Sequence, residues 1–396
     1  MTRQEFIKAC SLLGLGTAIL PSSLTSCETG DDGPIDVQFK GKVLVIGAGS
    51  AGLMAAYTLQ RYGIDFEVLE ASAVYGGRVK KTVDFADFPI DLGAEWVHET
   101  PSVFSRLIDD ETVDGNIDLI PYSPETFYSW TNGRLDRRNW QGPFYGEHKF
   151  TNSTWHDFFE TYILPSIENK IRYNEPVVEI DYSGDQVVAR IEGGGSYTAD
   201  KLLVTVPTTI LKSGSITFTP ALPTEKQDAL ENMYVPEGIK IFLEFSEKFY
   251  PDIVTVSDGT GAPSDEKIFY DAAFKKESEK NVFALFNVGP SAALYTNESD
   301  DEILKIVLGE LDAMFDGKAT KYYQKHIIQN WSAEPYIRGS YTYFHDTETT
   351  SVEAMTKPLD DKVYFAGEAL HEYAGATVHG AGLSGKTTIE TLLQSQ

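Results

Sequence analysis

"VLVIGAGSAG", residues 43–52, runs from an apolar stretch directly into glycines at positions 47, 49 and 52. An apolar run without polar alternation reads as a strand buried on both faces, and glycines at this spacing read as the turn from that strand into a helix. Gly47 permits the tight turn, Gly49 lets the backbone approach a pyrophosphate, and Gly52 lets the helix pack closely on the sheet. The helix start, at Ser50 and Ala51, presents backbone N–H groups to an anion. Working outward, the pattern predicts a strand over 42–46, a helix over 50–62 and a second strand over 66–70, together a βαβ unit. Glu70 closes the second strand, where a carboxylate can accept both ribose hydroxyls of a dinucleotide. The unit by itself leaves NAD and FAD open.

The next stretch, "EASAVYGGRVKK" (Glu70–Lys81), adds another close backbone approach at Gly76-Gly77 and, in Arg78, a permanently charged fork for a pyrophosphate. Residues 176–207, "PVVEIDYSGDQVVARIEGGGSYTADKLLVTVP", alternate β-rich runs with turn signals and read as an antiparallel meander ending in a buried strand. "GIKIFLEF" (238–245), "KIFYDAAF" (267–274) and "NVFALFNVG" (281–289) read as strands of a second sheet, followed by a helix over 300–315. "KVYFAGE" (362–368) and "GLSGKTTIETLL" (382–393) return to strand, glycine turn and helix. The expected fold class is α/β, with a Rossmann-type GxGxxG lobe drawn from residues 40–99, 172–236 and 340–396. A mixed α+β substrate lobe is expected from 100–171 and 237–339.

The 396 residues are 42% hydrophobic, enough for a large core, and carry a formal charge of −26. Such acidity argues against nucleic acid and anionic membrane surfaces as partners and suits a small cationic molecule. Residues 1–27 read as an export signal: Arg3 and Lys8 precede an apolar stretch, and "LTSC" (Leu24–Cys27) resembles a bacterial lipobox. "TRQEFIK" resembles the twin-arginine export motif with Gln4 in place of the second Arg. Residues 28–39 then read as an acidic tether, so the expected location is the bacterial cell envelope, with membrane contact only through a lipid on Cys27. The two cysteines, Cys10 and Cys27, both fall in the signal and leave no thiol for a disulfide or a nucleophile. No spacing of His, Cys and acids suggests a metal, and neither a nucleophile elbow nor a Walker loop occurs.

With GxGxxG, Glu70 and Gly76-Gly77-Arg78 come, in order, "DLGAEWVH" (Asp91–His98), "VTVP" (Val204–Pro207), "GIKIFLEFSEKFYP" (Gly238–Pro251), "GSYTY" (Gly339–Tyr343) and "VYFAGE...ATVHGAGLSG" (Val363–Gly385). Together they resemble the FAD-dependent amine oxidase family, which includes monoamine and polyamine oxidases and lysine-specific histone demethylases. The resemblance implies FAD, a small amine substrate and molecular oxygen. It implies that Gly47, Gly49, Ser50, Ala51, Gly52, Glu70, Ala71, Gly77 and Arg78 hold the adenosine and pyrophosphate, that Val177 reads adenine through its backbone, and that Gly367 and Glu368 lie beside the ribityl chain. Gly93, Ala94, Glu95 and Trp96, with Thr377, Val378 and Ala381, would border the isoalloxazine. Lys240 would face the reactive ring nitrogen through a water, His98 the substrate, and Tyr341 one side of an aromatic cage. His379 is read as structural.

Three departures accompany the resemblance. Ser340 stands where monoamine oxidases place a flavin-bonded Cys, so FAD is expected without a covalent bond. Thr377 replaces the second cage aromatic. The segment between His98 and Asn174 is short, with "TWHDFFETYILPSIENKI" (Thr154–Ile171) in place of a glycine-containing helix start, which implies a trimmed substrate lobe. The chemistry implied is hydride transfer from the carbon alpha to a neutral amine, polyamine or monoamine, with the imine hydrolysed to a carbonyl compound and oxygen reduced to hydrogen peroxide. An L-amino-acid oxidase, with Arg338 pairing the carboxylate, a flavin-dependent desaturase or porphyrinogen oxidase, for which Lys240 would not be expected, and a catalytically silent flavoprotein are the alternatives. On this reading, Lys240→Met slows turnover but leaves the fold and FAD binding nearly intact.

Overall fold

The computed structural model describes residues 35–113, 116–139, 146–257, 265–345 and 348–395. The signal and most of the tether lie outside them. Among the described residues no helix is long and apolar enough to cross a membrane.

The opening stretch forms the strand Lys42–Ile46 and the helix Ser50–Arg61, and the chain returns as the strand Asp65–Leu69. These strands belong to a five-stranded parallel sheet in the order Ile171–Arg172, Asp65–Leu69, Lys42–Ile46, Lys201–Val204, Val363–Phe365. Alternation explains why the central strand is apolar from Val43 to Ile46. Val43 and Val45 pack with Leu53, Leu59 and Ile389 on the helical side, while Leu44 and Ile46 pack with Ile180, Val187 and Phe365 on the other. The meander supplies that second side as a four-stranded sheet, Ser196–Ala199, Val187–Ile191, Val177–Asp181 and Thr217–Thr219.

The segment 154–171, placed above in the substrate lobe, packs under the nucleotide sheet. Thr154 accepts the Asp157 amide as an N-cap, and Trp155, Phe158, Phe159, Ile163 and Ile167 enter the same core as Leu53. Its backbone changes from α to a single π turn over Phe159–Ile163, then runs into the edge strand Ile171–Arg172. The helix therefore serves as the crossover to that parallel edge strand.

The second lobe is a seven-stranded sheet in the order Tyr323–Asn330, Gly238–Phe245, Asn281–Val288, Glu266–Asp271, Ile253–Ser257, Phe127–Thr131, Arg134–Arg138. All eight residues of Gly238–Phe245 are buried because both faces of the sheet are covered. Ile239, Ile241 and Leu243 face the helix Asp300–Phe315, whereas Phe242 packs with Trp96, Tyr122 and Tyr270 on the side of the first lobe. The period of two puts Lys240 on that same inward side.

Close approach of the C-terminal helix Val378–Gln394 to the helix Ser50–Arg61 depends on glycine: a Cβ at Gly385 would stand 2.1 Å from the Ala51 carbonyl oxygen. Gly385→Ala should force the helices apart and cost about 2–3 kcal/mol in urea denaturation. Gly309→Ala, in an exposed helical position where a Cβ meets nothing within 4 Å, should instead stabilise by up to about 1 kcal/mol. Equal effects at the two sites would mean that helix propensity, not packing, decides both.

Candidate active site

A cavity of about 570 Å³ lies between the lobes. At one end the helix Ser50–Arg61 begins at Gly49 with no side-chain cap and no acid in its first turn, so its backbone donors face the cavity uncompensated. A Cβ at Gly49 would meet nothing within 4 Å and would project into the space an anion needs, and Gly47 holds φ at +102°. Glu70 accepts the Ala48 amide at 2.7 Å and the Ser72 amide at 2.8 Å, which aims its carboxylate and leaves lone pairs for hydroxyls. Burial nevertheless pushes the Glu70 carboxyl above the usual range, the two amides opposing it. Arg78 donates to the Ser340 carbonyl at 2.5 Å and pairs with Glu368 at 3.2 Å, and Glu368 also accepts the Thr342 hydroxyl at 2.7 Å. An uncapped helix start, a glycine cradle, a guanidinium and a ribose-binding carboxylate in one cleft fit an FAD pyrophosphate and adenosine.

The middle of the cavity is bordered by Gly93, Glu95, Trp96 and Lys240. Lys240 is 2% exposed and donates to the Asp91 carbonyl at 2.8 Å, the Gly93 carbonyl at 3.1 Å and Glu95 Oε2 at 2.8 Å. Glu95 Oε1 lies 2.7 Å from Lys149 Nζ, and Oε2 accepts the Tyr270 hydroxyl at 2.5 Å. Burial would raise the Glu95 carboxyl, but the two ammonium groups hold it well below the usual range. Burial lowers the Lys240 ammonium, against the pull of Glu95.

Tyr341 and Tyr343 stack at 5.4 Å, two residues apart on one face. Both hydroxyls donate to Glu266 Oε1, at 2.9 Å and 2.6 Å. Glu266 and Tyr341 line the cavity together with Lys240 and Phe286. His98 lines it too, and its Nδ1 lies 2.5 Å from Glu147 Oε2.

Every site residue named from sequence borders this cavity except Gly52, which is a packing residue: a Cβ there would stand 1.9 Å from the Gly47 carbonyl oxygen. Thr377 borders the cavity, but its hydroxyl is spent as the N-cap of the C-terminal helix, accepting the Gly380 amide at 3.0 Å and donating to Ala374 O at 2.7 Å. That helix start is the second to open on the cavity, through Thr377 and Val378. Ser340 is buried and donates to the Pro236 carbonyl at 2.9 Å. Sequence reasoning missed Glu266, Glu147 and Lys149. Glu266 sits just ahead of "KIFYDAAF", where a charged residue reads as the solvated start of a strand. Lys149 and Glu147 lie in the stretch that matched no motif.

Residues 50–150 and 159–392 match the family described as flavin containing amine oxidoreductase. Among curated proteins, lysine-specific histone demethylase 1B of Mus musculus is 26% identical over 430 residues, covering 87% of this chain and 52% of that protein. Polyamine oxidase 4 of Oryza sativa subsp. japonica is 25% identical over 432 residues, covering 87% of this chain and 86% of its own. The chain thus spans about half the length of the demethylases it matches. Among solved structures, a putrescine oxidase triple mutant redesigned in cofactor binding superposes with a TM-score of 0.72 at 15% identity, over 88% of this chain and 98% of the other.

The three hydrogen bonds of Lys240 correct the expectation that Lys240→Met spares the fold. Methionine leaves the carbonyls of Asp91 and Gly93 and one oxygen of Glu95 short of a buried donor. The variant should lose roughly 3 kcal/mol of stability and, because Gly93 and Glu95 border the cavity, should retain less FAD after gel filtration. Wild-type melting and flavin content in the variant would show that these bonds hold nothing in place.

Proposed function

The chain belongs to the flavin containing amine oxidoreductase family, an FAD-dependent class, and on that premise we propose that it oxidises an amine carrying a second cationic group, a diamine or polyamine, with oxygen as acceptor. The products are an imine that water hydrolyses to an aldehyde, ammonia or a second amine, and hydrogen peroxide. The observation that carries this reading is the Glu266 carboxylate, held in the cavity by the hydroxyls of Tyr341 and Tyr343.

FAD, when bound, supplies the acceptor for a hydride from the carbon alpha to nitrogen. The chain's own residues position the amine. Glu266 offers charge-assisted hydrogen bonds to a distal ammonium, and the Tyr341 ring borders the path between that ammonium and the reacting end. Trp96, Phe286 and the aliphatic lining exclude water around the reacting carbon. Ser340, whose hydroxyl is engaged with Pro236, carries no thiol, which supports FAD held without a covalent bond. An amino-acid oxidase needs a cation for the substrate carboxylate. The candidate, Arg338, lines the cavity but commits donors to Pro335 O at 2.9 Å and Ser215 Oγ at 3.1 Å, and Glu266 would repel a carboxylate beside the tyrosines.

Anaerobic mixing with a diamine, a monoamine of equal length and an L-amino acid tests the reading by flavin bleaching. The diamine should bleach fastest. Glu266→Gln should raise KM for the diamine by roughly 10- to 100-fold, the worth of one charged hydrogen bond, and leave the monoamine nearly unchanged. Equal losses on both substrates would remove Glu266 from substrate recognition. Acid precipitation of the wild-type protein should release the yellow colour into the supernatant.

A further inference from the structure

The segment from Ser340 to Tyr343 runs between the two lobes, and its alternate residues are held from opposite sides. Ser340 and Thr342 are bonded to two groups at the nucleotide end of the cavity. The Ser340 carbonyl accepts Arg78 at 2.5 Å, and the Thr342 hydroxyl donates to Glu368 Oε1 at 2.7 Å. Tyr341 and Tyr343 turn the other way and donate to Glu266, the first residue of a strand in the seven-stranded sheet. Arg78 and Glu368 are themselves paired at 3.2 Å, so one ion pair grips the residue on each side of Tyr341.

Thr342 is 1% exposed. Valine would fill the same extended, buried position without a hydroxyl to satisfy, so the hydroxyl is held there by its partner and not by packing. A carboxylate only accepts, and the one hydroxyl proton of Thr342 therefore goes to Glu368. Thr208 Oγ1, 3.5 Å away, is placed to donate to the Thr342 oxygen in turn. The Thr342 amide lies 3.4 Å from Glu368 Oε2, so both oxygens of that carboxylate reach residue 342.

We propose that Thr342 is a positioning residue: by fixing the segment against Glu368 it sets the reach of the Tyr341 and Tyr343 hydroxyls to Glu266, and so holds that carboxylate where a distal ammonium meets it. The inference rests on the amine reading of Glu266. Thr342 stands behind the cavity wall that Ser340 and Tyr341 form, and acts through its neighbours. Both tyrosines converge on the same oxygen, Oε1, so a small displacement of the segment turns the carboxylate and redirects its other oxygen. Burial, then Tyr341 and Glu266, push the Tyr343 hydroxyl far above its usual range, and it remains a donor.

Thr342→Val removes the hydroxyl and keeps the branched shape. Assayed with saturating FAD, it should raise the ratio of KM for a diamine to KM for a monoamine of equal length by roughly 3- to 10-fold, the scale of a residue that acts through its neighbours. A fault of folding or flavin loading shifts both substrates together and leaves the ratio alone. Thr342→Ser, which retains the hydroxyl, should keep the wild-type ratio. In a Glu266→Gln background Thr342→Val should change the ratio no further, because the route through Glu266 is already cut. A wild-type ratio in the valine variant, an altered one in the serine variant, or additive effects in the double variant overturns the proposal. A crystal structure of Thr342→Val, with or without FAD, reads the displacement directly. The Tyr341 hydroxyl should leave hydrogen-bond distance of Glu266, and both hydroxyls at their wild-type distances overturn the role of Thr342 whatever the substrate is. If no amine bleaches the wild-type flavin, the amine reading fails, and the crystallographic comparison still decides whether Thr342 positions the tyrosines.

Discussion

One carboxylate holds the floor of the cavity together. Glu95 lies in the segment leading to the strand Trp96–Val97, Lys149 on the strand His148–Phe150, Lys240 in the middle of the seven-stranded sheet and Tyr270 two strands away in that sheet. All three reach the two oxygens of Glu95 within 2.8 Å. Removing a carboxylate and two ammoniums from water costs several kcal/mol per ion, and the pairing recovers that only with good geometry. The cluster is therefore better understood as a positional constraint than as a source of stability. The paired strands Trp96–Val97 and His148–Phe150 and the separate seven-stranded sheet meet at one group, and the wall of the cavity from Gly93 to Trp96 is set by where that group is held.

The nucleotide end of the cavity was legible because its chemistry is backbone chemistry. A turn at φ +102° in Gly47, a helix start open at Gly49 and a carboxylate after the second strand each demand a residue type at a set spacing. Gly52 was read as a packing glycine from the motif and as a cofactor residue from the resemblance, and the Gly47 carbonyl 1.9 Å from a would-be Cβ supports the packing role. The two demands share a motif, and sequence alone does not separate them. The amine end was less legible because it is built by tertiary encounter. Lys149 lies in an unremarked "HKF", yet strand pairing sets it opposite Trp96. Thr377 looked like a lost cage aromatic, while its hydroxyl answers a local need, the capping of the helix it precedes. Lys240 could be placed by the period of its strand, since Ile239 and Ile241 face the helix and leave 240 inward, but not the three acceptors that bind it.

The segment 154–171 shows how one short helical connection serves two parts of the architecture. An edge strand that runs parallel to its neighbour needs a crossover, and a helix is the usual one. Here the crossover is built from Trp155, Phe158, Phe159, Ile163 and Ile167 packed beneath Leu53, and Trp155 is tied to the Trp96 carbonyl at 3.2 Å. The same short piece thus supports the nucleotide sheet and braces the strand that carries Glu95's neighbour.

On the proposed reading, the two ends of the amine cavity carry opposite charge for different reasons. Glu266 presents a carboxylate beside the tyrosine pair, which favours an ammonium there. The floor holds the ammoniums of Lys149 and Lys240 against Glu95, with burial and then Glu95 pushing the neighbouring Asp91 carboxyl above the usual range, so two cations there share one strongly ionised carboxylate. A cation near that floor is disfavoured, and an amine nitrogen brought to it is pushed toward its neutral form. Only the neutral form has the lone pair that assists loss of hydride from the adjacent carbon. A substrate with two nitrogens would therefore be oriented by the field itself, charged end to Glu266 and neutral end to the lysines, and the protein's overall charge of −26 would draw it to the surface without deciding which end enters first.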